Sequence, residues 1–73
     1  MKTARTLLEV VLNGEPHRLP EGSTVADLVA GLGRDPRTVA VERNGDLVPR
    51  AHFSETLLGA GDRLEVVHFV QGG

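Results

Sequence analysis

Apolar and polar residues recur at two different periods along this chain, and the switches between them outline five strands and one helix. "LLEVVLNG" at positions 7–14 is rich in branched residues and ends in Asn13-Gly14. That pair favours the positive φ angles of a type I′ turn, so a hairpin follows, with a return strand near His17 to Leu19. Pro20, Glu21 and Gly22 break the return strand. In "STVADLVAGLG", Val25, Leu28, Val29 and Leu32 fall on one stripe of a helix spanning about 24 to 32. Ser23 or Thr24 can cap it, and Thr24 with Asp27 forms a capping box with a shorter acid than usual. Gly33 suits the left-handed position after the helix, and Pro36 prevents its resumption. Gly31 inside the helix costs about 1 kcal/mol against Ala, so packing must hold it.

"TVAVERNG" carries a second hairpin signal, with Asn44-Gly45 at its tip. "DLVP" returns and stops at Pro49. Residues 50–58 read as irregular or a short helical turn, and "GAGD" as another turn. "RLEVVHFV" is the last and clearest strand, from about Arg63 to Val70. One helix must then cover one face of a sheet built from two hairpins and a final strand. This order is the β-grasp arrangement, an α+β fold with a mixed sheet of four to five strands. The long connection through the helix allows the first and last strands to lie side by side.

Strand side chains alternate between faces. Glu9 and Glu42 mark the outer face, which places Leu8, Val10, Leu12, Val39 and Val41 under the helix. In the last strand Leu64 and Val66 belong inside, on one face with His68 and Val70. Leu7, Val11, Ala40, Val67 and Phe69 are left on the open face. There they form an expected apolar partner surface, with Phe69 as its anchor because it stands so near the end of the chain.

Composition narrows the possibilities. Seventy-three residues make one domain. A chain of this size buries only about 60% of its extended surface. The expected organisation is a flexible extension over 1–6, a domain over 7–70 and a flexible tail over 71–73. There is no Cys, so neither disulfide nor thiolate metal site contributes. The net charge is −2 and both signs are scattered, which argues against nucleic acid as a partner. The apolar runs are too short to span a bilayer, and no signal-peptide pattern opens the chain. A reducing cytoplasm is the default expectation.

Candidate chemistry inside the body is sparse. His17, His52 and His68 follow no metal spacing, and Ser23 and Thr24 have no base at a recognisable distance. Gly31 and Gly33 form no phosphate loop, and Arg50 reads as a surface residue. The remaining candidate is the terminus, "HFVQGG". Gly72 and Gly73 lack Cβ atoms, so their backbone can thread a narrow channel and take angles closed to other residues. The three residues after Val70 reach roughly 10 Å when extended. The Gly73 carboxylate is a poor electrophile. Chemistry at its carbon requires prior activation, for example as an acyl-adenylate made by another enzyme.

"LNGEP", "EGSTVADLVAGLG", "VAVERNGDLVPR" and "GAGDRLEVVHFVQGG" together resemble the ThiS family, the ubiquitin-like β-grasp sulfur carriers of thiamine biosynthesis. The resemblance runs from Leu8 to the end, and the segment through Val48-Pro49-Arg50 favours the thiamine branch over the molybdopterin carriers. Two features depart from the pattern: a longer N-terminal extension, and Gln71 where many relatives have a third Gly. The resemblance implies a protein co-substrate that is not itself an enzyme and binds no cofactor. By that resemblance, an E1-like enzyme using ATP and magnesium would adenylate Gly73. Sulfur from cysteine, commonly through a desulfurase, would replace AMP and leave a thiocarboxylate. Thiazole synthase would then take that sulfur, while Gln71 and Gly72 would thread the partner's channel. The alternatives are a carrier for molybdopterin or another pathway, a ubiquitin-like modifier of proteins, or a plain interaction domain.

Overall fold

The computed structural model of the protein describes residues 6–69. Its strands are β1 (Leu7–Leu12), β2 (Glu15–Pro20), β3 (Val39–Arg43), β4 (Asp46–Val48) and β5 (Arg63–His68), with one helix, α1 (Val25–Gly31). Single 3-10 turns cover Pro36–Thr38 and Arg50–His52. The sheet order is β2-β1-β5-β3-β4. β1 and β5 are parallel, and the other neighbours are antiparallel. This is the β-grasp arrangement that the periodicity predicts, with the last strand at its centre.

Both Asn-Gly pairs form the turns expected of them. Asn13 and Gly14 lie at φ +49° and +86°, and Asn44 and Gly45 at +54° and +90°. Two-residue turns fix the register of each hairpin, setting Leu12 opposite Glu15 and Arg43 opposite Asp46. Backbone groups then alternate between facing the partner strand and facing away. On β2 the outward positions are Pro16, Arg18 and Pro20, and two of these have no N–H to offer. On the opposite edge the outward N–H of Leu47 is followed by Pro49. Pro20 was expected to break β2. It closes the strand instead, opposite Leu7, because its ring nitrogen faces away from β1 and forfeits no ladder bond.

Helix α1 is fastened at both ends. The Thr24 hydroxyl accepts from the Asp27 N–H at 3.2 Å, and the Asp27 carboxylate accepts from the Thr24 N–H at 2.9 Å. Ser23 has a different role: its buried hydroxyl donates to the Pro20 carbonyl at 2.6 Å. At the other end Gly33 (φ +73°) donates to Ala30 and Arg34 donates to Val29, the double bond of a Schellman motif. The helical residues proper are Val25–Gly31, slightly fewer than the stripe suggests, because Thr24 and Leu32 serve as caps.

The core joins Leu8 and Val10 of β1, Leu19 of β2, Val25, Leu28 and Val29 of α1, Val39 and Val41 of β3, Val48 of β4, and Leu64 of β5. Leu12 and Val66, assigned inward by alternation, are partly buried at its margin. Two core members come from the loop between β4 and β5. Phe53 is only 4% exposed and Leu58 6%. Their loop is pinned across the start of the helix, where Val25 donates to the Thr56 carbonyl, Ala26 to Phe53 and Leu58 to Ser23. Periodicity gives no hint of this, because an irregular segment has no period.

Two substitutions test this packing. A Cβ added at Gly31 meets open space at an ordinary helical φ. Gly31→Ala should therefore raise the urea midpoint, with a gain of about 0.4–1 kcal/mol. Phe53→Ala should lower it, with a loss of about 3–5 kcal/mol. Near-neutral behaviour of the Phe53 variant would show that the loop is not part of the cooperative core.

Candidate functional site: the last strand and its open face

β5 carries the chain toward its terminus, so its placement decides what the terminus can reach. Residues of even number in β5 turn their backbone groups to β1 and those of odd number to β3. Thus Val11 donates to the Asp62 carbonyl and Asn13 to Leu64 on one side, and Asn44 donates to Arg63 on the other. The β1 ladder covers only the beginning of β5: Val11 is level with Arg63, and Leu12 with Leu64. β3 accompanies β5 much further, from Leu64 to His68. Beyond it, the Phe69 N–H donates to the Thr38 carbonyl at 3.0 Å.

The entrance to β5 is held by a carboxylate. Asp62 accepts from the Arg43 guanidinium at 2.9 Å, the Asn44 amide at 3.1 Å and the Gly59 N–H at 2.8 Å. Its side chain is 12% exposed. Burial pushes the Asp62 carboxyl up, but the bonds from Gly59, Asn44 and Arg43 outweigh it, and the net direction is downward from the usual 3.8. The Asn44 side chain also accepts from the Arg63 N–H at 2.9 Å. The tip of the second hairpin and the start of β5 are thereby locked together. In the sequence Asp62 shows only as the last residue of the turn "GAGD", where Gly61 takes φ +82°.

The open face is less uniform than alternation alone suggests. Ala40 stands directly opposite Val67, and Phe69 follows two residues on. Val67 is 57% exposed and Phe69 41%, and with half-buried Ala40 they form an apolar cluster at the exit of β5. Leu7 does not join it. Leu7 lies four residues before Val11, and Val67 four residues after Arg63, which is level with Val11. The separation along the strands is roughly 26 Å at about 3.3 Å per residue. Leu7 neighbours Pro20, and Val11 neighbours Pro16. The five-residue surface expected from alternation is therefore divided, because β1 and β5 are offset along their shared axis.

Between the apolar cluster and Arg63 sits a pair that the sequence reading did not find. Glu42 and Glu65 are cross-strand partners on the open face. Both are exposed, and among the described residues neither makes an ion pair. Like charges directly opposite cost stability in a sheet. Across the sheet, Glu9 is matched by Arg18 at 3.3 Å.

The histidines do not converge. His17 lies on β2, His52 in the 3-10 turn and His68 at the end of β5. Among the described residues no group of three or more His, Cys, Asp or Glu is placed to hold a metal ion. A groove of about 400 Å³ runs between β2 and α1, lined by His17, Arg18, Leu19, Asp27 and Gly31 among others. It lies two strands from β5, and its Asp27 is committed to the helix cap. Among the described residues, no helix is long and apolar enough to cross a membrane. The residues given the chemistry by sequence, Gln71, Gly72 and Gly73, lie outside the described residues, as does Val70.

The ThiS family model matches residues 7–73. Thiazole synthases from Magnetococcus marinus and Paramagnetospirillum magneticum are 46% and 41% identical to this chain over 66 residues. Those matches cover 90% of this chain and 20% of each synthase, so the chain spans about a fifth of the length of these relatives. The sulfur carrier protein ThiS of Bacillus subtilis is 35% identical over 63 residues, covering 85% of this chain and 96% of that protein. The crystal structure of the thiamine biosynthesis protein (ThiS) from Geobacter metallireducens superposes with a TM-score of 0.77 at 30% identity. It covers 90% of this chain and 100% of that one.

Removing the Asp62 carboxylate should expose its role. Asp62→Ala leaves three donors without their acceptor and should cost about 1–3 kcal/mol in urea unfolding. A folded-state value below 3.8 means that the contribution is complete above that pH and disappears as pH falls through the lowered value. Asp62→Asn should accordingly flatten the acid limb of the stability profile. A remnant should persist from exposed Asp35, which hydrogen bonds from Arg37 hold at about 2. An unchanged acid limb would remove Asp62 from this role. Phe69→Ala, in contrast, should cost well under the roughly 3–5 kcal/mol of a core Phe.

Proposed function

The chain belongs to the ThiS family, and on that premise we propose that it is a sulfur carrier of thiamine biosynthesis whose Gly73 carboxyl group bears the sulfur. The observation that carries this reading is the likeness to the Bacillus subtilis sulfur carrier, nearly all of which this chain covers. The family match also runs through Gly72 and Gly73.

The chemistry follows from what a carboxylate lacks. Its carbon resists nucleophiles because both oxygens share the negative charge and neither can leave. An E1-like enzyme supplies the remedy. A Gly73 carboxylate oxygen attacks the α-phosphorus of ATP, whose magnesium-bound pyrophosphate departs, and an acyl-adenylate results. A persulfide from a cysteine desulfurase system attacks the same carbon through its outer sulfur, AMP leaves with the bonding pair, and a thiol reductant then splits the resulting acyl disulfide. The product is a thiocarboxylate, which delivers its sulfur to thiazole synthase. The carrier contributes no acid, base or metal to these steps. It contributes a recognisable body and a slender end, since Gly72 and Gly73 have no side chain to widen it.

Thiazole synthase is a reasonable recipient because two proteins of that name include a stretch resembling this chain. Partner contact centres on Ala40, Val67 and Phe69, the apolar residues nearest the exit of β5. Leu7 and Val11 lie too far along the strands to share one small contact with them. A compartment with ATP, such as the cytoplasm, suits this reaction.

Intact-mass measurement after incubation with ATP, an E1-like adenylating enzyme and a sulfur source tests the reading. The mass should rise by the exchange of one oxygen for sulfur, localised to Gly73. Unchanged mass would overturn the proposal, and isopeptide adducts on lysine would replace it with a protein-modifier role. Gly72→Val should unfold like the wild type but be activated roughly ten- to a hundredfold more slowly, because a small displacement of a reacting group carries penalties of that size. Deleting Gly73 should abolish activation and leave the fold intact.

A further inference from the structure

Asn13 is more than a turn residue. β1 ends at Leu12, level with Leu64, but β5 continues to His68. Past that end, the Val66 backbone faces a lane that β1 no longer fills. The Asn13 side chain occupies it. Its Oδ1 accepts from the Val66 N–H at 2.9 Å, and its Nδ2 donates to the Val66 carbonyl at 3.3 Å. Its own N–H already donates to the Leu64 carbonyl at 2.8 Å. The carboxamide therefore acts as one more peptide unit of β1, a donor and an acceptor at the next step of the parallel ladder. An amide presents its donor and its acceptor on two atoms of one planar group, as a peptide unit does. The turn alone does not explain the residue, since Gly and Asp also tolerate its positive φ.

Val66 lies three residues before Phe69, where the last described contact of the strand is made on the β3 side. With Asn13 on one side and β3 on the other, β5 is held from both flanks up to Val66. Without Asn13, the segment carrying Val67 and Phe69 hangs from β3 alone. We propose that Asn13 is a positioning residue for the carrier reaction, fixing the course of β5 at Val66 and with it the exposed Val67 and Phe69 that meet the activating enzyme. The proposal rests on the sulfur-carrier reading and deepens it.

Asn13→Gly is the decisive variant, because it keeps the turn geometry and removes only the side chain. Asn13→Asp keeps the acceptor for Val66 N–H and sets a carboxylate oxygen against the Val66 carbonyl. Amide hydrogen exchange at Val66, read by NMR on the full chain, should accelerate roughly tenfold in the glycine variant while the global unfolding midpoint moves little. In adenylation kinetics with varied carrier, the half-saturating concentration should rise roughly three- to tenfold, with kcat nearly unchanged. The aspartate variant should fall between wild type and glycine in both measurements. Faster Val66 exchange with unchanged half-saturation would overturn the positioning role, as would unchanged exchange. Failure of the wild type to be adenylated at all would overturn the carrier reading, and the positioning role with it. Wild-type activity with identical variants would overturn the positioning role alone.

Discussion

Everything in this sheet hangs on β5. The two hairpins, β1–β2 and β3–β4, touch no common strand except this one. On the β1 side the regular ladder is short, with only Val11 and Leu12 in register with β5. A parallel junction of that length is weak in itself, and Asn13 reinforces it, while two other side chains secure the β3 side. Asp62 binds the second hairpin tip to the entrance of β5, Asn44 completes that bond at Arg63, and Asn13 extends the first hairpin past its own end. The polar groups at this junction are accordingly paired, and among the described residues no buried side-chain nitrogen or oxygen is without a partner. In a chain this small, where only a modest fraction of surface is buried, such pairing matters as much as the apolar contacts beneath it.

The helix and the sheet meet the same constraint from the other side. Its short apolar stripe of Val25, Leu28 and Val29 cannot make α1 stable by itself, since helices of this length are marginal in water. It persists because the capping box, the Schellman end and the loop through Phe53 and Leu58 fasten it to the inner face of the strands. The consequence for function is an asymmetric molecule. One face is closed by a helix, and the other is open, with Val67 and Phe69 exposed on it.

Much of this was legible from residue patterns. The two Asn-Gly pairs specified their turns because few residues tolerate consecutive positive φ angles, and the alternation in "RLEVVHFV" separated inner from outer side chains correctly over the described strand. Features that depend on where distant segments lie relative to one another were not legible. Alternation put Leu7 and Val67 on one face but could not reveal the offset between β1 and β5 that keeps them apart. Phe53 looked like a loop residue because no period marks a side chain that folds back beneath a helix. Asp62 and Asn13 were visible as turn residues, but their partners lie 19 and 53 positions away. The chemical residues at the end of the chain were read from composition and resemblance, which is all that a pair of glycines can offer.

Pro16, Pro20 and Pro49 have a further consequence for the protein as a solute. An exposed strand edge is a template: a second chain can dock on it, and a third on the second, as in fibril growth. Here a newcomer beside β2 would find a single outward N–H, that of Arg18, between two rings that present none. Beside β4 it would find Leu47 and then Pro49. Growth of the sheet in its own plane is therefore interrupted at both margins. Copies of the chain can then be concentrated without annealing edge to edge.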